Sequence, residues 1–215
     1  MKPPQRVAIF VLAATSIACL LGQMYGWWPM RGFTLMVFVP SCCVLAAMAW
    51  CDRRSGNGRL CQVMAIGAAG GLAATVGYDV FRLPFVFAAK WGLDGVLPAL
   101  PLFKVFPQFG AMILGGTNGN SLAAQVIGWS YHFSNGISFG VMYAALVDGD
   151  WQRRWPVAIV FAVGLELGML MTPYPATFGI RVTTAFVAVT LAAHTVFGVT
   201  LGLTSRALAK RARIC

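Results

Sequence analysis

Charge is scarce in this chain. Only 10% of its 215 residues are Asp, Glu, Lys or Arg, whereas a soluble domain carries about 25%. Acidic side chains are the rarest, six in all, and Glu166 is the sole glutamate. Histidine occurs twice, at 132 and 194. That is too few for a His-rich membrane oxygenase, and no His-x3-His or Glu-x-x-His pair is present. The sequence has no Cys-x-x-Cys, no Gly-x-Ser-x-Gly elbow and no glycine loop following a strand. These absences remove thiol-redox, serine-hydrolase and nucleotide-binding readings. A basic groove with interleaved aromatics is also missing, so the net charge of +10 does not mark a nucleic-acid partner.

What remains is apolar: 59% hydrophobic residues and a mean hydropathy of +0.74. The expected fold class is all-α, a polytopic membrane helix bundle forming one domain over 1–215. Six candidate spans, each near the ~20 residues a crossing needs, lie at 7–26, 32–50, 61–83, 123–147, 156–173 and 179–203. Tyr25, Trp27 and Trp28 form an interfacial belt after the first. Lys2 and Arg6 before an apolar run imitate a signal peptide, but the run continues past Cys19, which favours an uncleaved helix. The six cysteines, at 19, 42, 43, 51, 61 and 215, read as small buried apolar side chains.

Eleven of the sixteen basic residues (2, 6, 53, 54, 59, 153, 154, 206, 210, 211 and 213) share one side if both termini are cytoplasmic. The expected location is a bacterial cytoplasmic membrane, N-in and C-in. Segment 84–122, with Pro84, Pro98, Pro101 and Pro107 among Lys90, Asp94 and Lys104, is too broken for an ordinary span. It reads as interfacial or re-entrant helices, acting as a lid or as plain filler, with residues 105–116 as a short seventh crossing the alternative.

The stretch from Gly67 to Pro84 opens with Gly67, Gly71 and Thr75 at four-residue spacing, a ridge along which two membrane helices approach closely. It runs into Asp79 and Arg82, and Pro84 is expected to stop the helix. His132-x3-Gly136-x3-Gly140 recurs as His194-x3-Gly198-x3-Gly202, each copy aligning an imidazole with a glycine groove. With this topology Asp79, Arg82, His132, Glu166 and Arg181 fall in the outer half of the bundle, and His194 deeper. Each is costly in hydrocarbon unless satisfied.

Glu166 sits among Leu165, Leu167, Leu170 and Met171. A desolvated carboxyl in such company serves as a proton donor. The candidate catalytic residues are therefore Glu166, Asp79 and His132. Candidate substrate contacts are Arg82, Tyr78, Tyr131, Asn135, Tyr174 and Arg181, with Phe81, Trp129 and Phe139 as aromatic walls. The plainer alternative is structural: Asp79 pairs with Arg82 or Arg181, and Glu166 with a histidine or a backbone donor. No cofactor is expected. A metal on Asp79, Glu166, His132 and His194, or haem between the two histidines, is the alternative.

Size, span number and the intramembrane acids Asp79 and Glu166 give the chain a resemblance to the small integral-membrane terpene cyclases. These are compact all-helical proteins that depend on a few intramembrane acidic residues. The resemblance implies a cyclase, isomerase or lyase working on an isoprenoid: Glu166 or Asp79 protonates an alkene or epoxide, and aromatics steady the carbocation. The expected partners are the bilayer and a hydrophobic small molecule. A transporter with an Asp/Glu/His relay and an accessory subunit of a membrane complex are the competing functions.

Overall fold

The computed structural model describes residues 1–147 and 150–212, apart from the side chain of residue 153. Asp148, Arg213, Cys215 and the side chain of Arg153 lie outside the described residues. Helices build the protein, and no strand occurs among the described residues. Four helices are long and apolar enough to cross a membrane: α1 (Pro3–Met24), α2 (Met30–Arg54), α3 (Arg59–Val86) and α7 (Thr184–Arg211). Between them lie α4 (Val105–Leu114), α5 (Leu122–Val147) and α6 (Val157–Leu170), of 10, 26 and 14 residues. Each of the six stretches read as spans overlaps a helix, and four of those helices are long and apolar enough to cross.

Local chemistry sets the ends. Pro3 and Pro4 open α1, where a missing N–H costs nothing, and the Gln5 side chain accepts from the Lys2 N–H at 3.0 Å. In α2, Thr34–Phe38 widens into π-helix just before Pro40. The wide turn relieves a ring that would otherwise meet the carbonyl one turn earlier. Pro84 does not stop α3 as expected. The helix runs two residues past it to Val86, and the Phe87 N–H donates to Leu83 at 3.0 Å. So near a helix end, one lost donor is tolerated. Arg181 does not begin the last helix either. Thr183 is the cap, its hydroxyl accepting from Phe186 N–H at 3.1 Å.

Glycine determines how the helices meet. On α3, a Cβ at Gly67 or Gly71 would collide with the backbone of Gly140 or Gly136 on α5; in return one at Gly140 would meet the Gly67 and Gly71 backbone, and one at Gly136 the Thr75 side chain. The ridge read from the sequence is thus a backbone-to-backbone seam. Gly110 on α4 and Gly128 on α5 form a second seam, and Gly198 and Gly202 on α7 meet Ile159 and Trp155 as a third. Helix α2 lies at the periphery, only 17% buried, and shows Leu35, Met36, Val39 and Val44 outward, as a lipid-facing helix does. Of the five described cysteines only Cys19 is buried; Cys42, Cys43 and Cys51 are exposed on α2 and Cys61 is half-buried. The expectation of buried thiols therefore fails for α2, because that helix has a partner on one side only.

Segment 84–122 is exposed over 89–96 and partly buried farther on. Turns over 88–104 lead into α4, which buries Phe106 and Phe109 against α5. At about 1.5 Å per residue, α4 is too short to cross on its own.

Candidate functional site

The seams fix the site. Helices α3 and α5 run antiparallel, so the pairing of Gly140 with Gly67 and Gly136 with Gly71 and Thr75 carries the next turn of α5 onto Asp79. That turn presents His132, whose Nε2 lies 3.0 Å from Asp79 Oδ2 and 3.1 Å from Oδ1. The α6–α7 seam works the same way. Gly202 meets Trp155 and Gly198 meets Ile159, so the following turn brings His194 to Glu166, with Nδ1 3.4 Å from Oε2. The repeated His-x3-Gly-x3-Gly pattern is thus a register device, each copy delivering an imidazole to a carboxyl on the facing helix. His194 stands level with Glu166, not deeper as expected.

Tyr78 separates the two pairs, its ring 4.9 Å from His194 and 6.1 Å from His132 between centroids. Arg82 closes one end. Its guanidinium lies 4.6 Å above the Tyr78 ring and 5.0 Å above Phe103, its Nη1 is 3.6 Å from Asp79 Oδ1, and Nη2 donates to the Leu102 carbonyl. Phe106 stacks on His132 at 3.9 Å.

The two pairs are not equivalent. Asp79 has two cationic or donating partners and is held from both sides. Glu166, only 8% exposed, has among the described residues only His194 Nδ1 as a polar partner. That nitrogen is already engaged with the Thr190 carbonyl at 2.9 Å, and 3.4 Å is longer than a good N–H···O bond. Glu166 is thus the loosely held acid.

Two cavities meet there. The larger, about 330 Å³, is lined by Arg82, Lys104, Glu166, Tyr174, Arg181 and the 99–102 strap. The smaller, about 130 Å³, is walled by Phe106, Phe109, Phe139 and Phe197 with both histidines and Asn135. Tyr78, Glu166 and Tyr174 line both. Tyr174 lies on the single turn Tyr174–Thr177. Burial pushes its phenol well above the ordinary value, so it remains a hydroxyl. Asn135 Oδ1 is buried without a hydrogen-bond partner.

Of the residues read from the sequence, Glu166, His132, Arg82, Tyr78, Asn135, Phe139, Tyr174 and Arg181 line a cavity. Asp79 lines neither cavity; its carboxylate is turned to His132 and Arg82. Tyr131 donates to the Ser16 carbonyl at 2.6 Å and ties α5 to α1. Trp129 packs edge-on behind Phe106, and Phe81 packs against Phe85; neither Trp129 nor Phe81 lines a cavity. The reading missed His194 as a site residue and Phe106 as a wall. The first was recoverable from the repeated pattern; the second depends on how the 84–122 segment folds back. Asp79, Glu166, His132 and His194 do not converge. Among the described residues no three His, Cys, Asp or Glu side chains group as metal ligands.

No family model matches the chain, and neither does any curated protein or solved structure.

Proposed function

We propose that the protein is a membrane-embedded enzyme in which Glu166 protonates a lipid-phase substrate, an isoprenoid or similar alkene. One observation carries this reading: the sole glutamate, buried and loosely held, stands where a polar cavity meets an aromatic one. At about 330 Å³ the larger cavity reaches the lower end of ligand-sized pockets, and the smaller extends it. In the proposed step the Glu166 O–H bond breaks and the alkene π pair forms a new C–H bond. Phe106, Phe139, Phe197 and Tyr78 offer π faces to the resulting cation. A proton then leaves a neighbouring carbon for the Glu166 carboxylate, so the net change is an isomerisation or ring closure. His194 holds that carboxylate in place. Asp79 acts one layer back, as the positioning residue for His132 and Arg82.

As part of this proposal the chain makes six crossings, N-in and C-in, in a cytoplasmic membrane. The clustering of basic residues at one end supports this, and α6, shorter than a bilayer, is sheltered by α7. The site then lies in the outward half. A carrier would need the cavities to continue to the other end. The cavity there, lined by Met1, Lys2, Asp52 and Arg59, shares no residue with either, and the glycine seam and the buried Tyr143–Trp151 contact stand between.

Comparative lipid analysis of membranes containing the protein or Glu166→Gln tests the reading. A lipid product should appear only with the parent. Identical lipid profiles, together with pH-driven solute flux in proteoliposomes, would transfer the same residues to a carrier.

A further inference from the structure

The larger cavity has more positive charge than its acid needs. Arg82, Lys104 and Arg181 line it with Glu166; Asp79, outside the lining, already pairs with Arg82, so Lys104 and Arg181 are the surplus. Among the described residues neither Lys104 nor Arg181 forms an ion pair. Arg82 is the decisive residue, only 4% exposed. Among the described residues one of its five donors goes to Leu102, Nη1 is ion-paired with Asp79 at 3.6 Å, too long for a hydrogen bond, and Nε has no hydrogen-bond partner. A buried guanidinium with idle donors in a cavity wall is costly unless an acceptor comes to it, and its planar fork suits an oxyanion. No lysine or arginine lines the neighbouring cavity, whose walls are mainly aromatic and aliphatic.

We infer that the substrate is a single-chain amphiphile whose oxyanion headgroup, a phosphate monoester or carboxylate, sits between Arg82, Arg181 and Lys104, with its chain passing Glu166 into the aromatic cavity. This deepens the preceding reading and rests on it for the chemistry at Glu166, but not for binding. The headgroup sets the register of the chain, so the double bond protonated is one a short, fixed distance from the anion. The 99–102 strap, bonded to Arg82 through Leu102, closes over the headgroup.

The test is binding to the full-length protein in neutral maltoside micelles, with dodecyl phosphate, dodecanoate, dodecanol and inorganic phosphate as probes. At least one dodecyl anion should bind ten or more times more tightly than dodecanol and than inorganic phosphate. Arg82→Gln risks misfolding, so the exposed pair carries the test: R181Q and K104Q should each weaken anion binding about threefold and their double variant about tenfold. Dodecanol binding within threefold of both anions, or an unchanged double variant, would overturn the proposal. Inorganic phosphate matching dodecyl phosphate would overturn it too, as it would show a site for free oxyanion. Glu166→Gln should bind dodecyl phosphate at least as well as the parent. If it does and the parent still performs no chemistry, the acid reading falls while the headgroup site stands.

Discussion

Replacing Asp79 by asparagine separates what holds the site from what works in it. The side chain keeps its shape and loses its charge, leaving Arg82 with its hydrogen bond to the Leu102 carbonyl but no counter-ion among the described residues. At 3.6 Å and an effective dielectric constant of about 20, the lost attraction is about 5 kcal/mol before desolvation is counted. The side chains are only 5% and 13% exposed, so solvent screens little. Breaking a buried pair from one side typically costs about 3–5 kcal/mol because the surviving charge is stranded. The expected loss for D79N is therefore about 3 kcal/mol, read from SDS-induced unfolding in mixed micelles. Adding R82Q removes the stranded charge, so the double variant should lie closer to the parent than the two single losses summed, with a coupling of about 1–3 kcal/mol. A D79N loss below about 1 kcal/mol, or strict additivity with R82Q, would refute the reasoning.

Glu166→Gln should behave in the opposite way, with unfolding within about 1 kcal/mol of the parent, since its one contact is long, and turnover lost. Gly140→Ala should cost 2 kcal/mol or more, because its Cβ meets the Gly67–Gly71 backbone and overpacking is costly at about 1–3 kcal/mol or beyond. Gly164→Ala, with nothing within 4 Å, should stabilise by about 0.5–1 kcal/mol; equal effects at the two sites would contradict the seam. Tyr174 holds its proton more tightly folded than unfolded. Its contribution is therefore intact below the unfolded value of about 10 and falls as pH rises through it. Tyr174→Phe should flatten the alkaline limb of the stability–pH curve, and an unaltered limb would count against burial of that phenol.

The helices were legible because apolar runs and small-residue ridges are local signals. The Gly67–Gly71–Thr75 spacing foretold a close approach that Gly136 and Gly140 complete. The span ends were less so: Pro84 and Arg181 look like boundaries, yet hydrogen bonding by Phe87 and Thr183 sets them elsewhere. In the site, Glu166 stood out through rarity and apolar neighbours. That Asp79 lines neither cavity did not show, because which carboxyl faces a cavity depends on side-chain direction across two seams. His194 was set too deep because depth was counted along the chain. The register of α6 on α7, a tertiary property, is what lifts it level with Glu166.

The most direct measurement is solvent-proton incorporation. The protein, reconstituted in bilayers of total membrane lipid in D2O, should place one deuterium on a carbon of a single lipid species, and Glu166→Gln should place none. Carbon-bound deuterium appearing equally with Glu166→Gln, or with neither protein, would contradict the assignment of Glu166 as the acid.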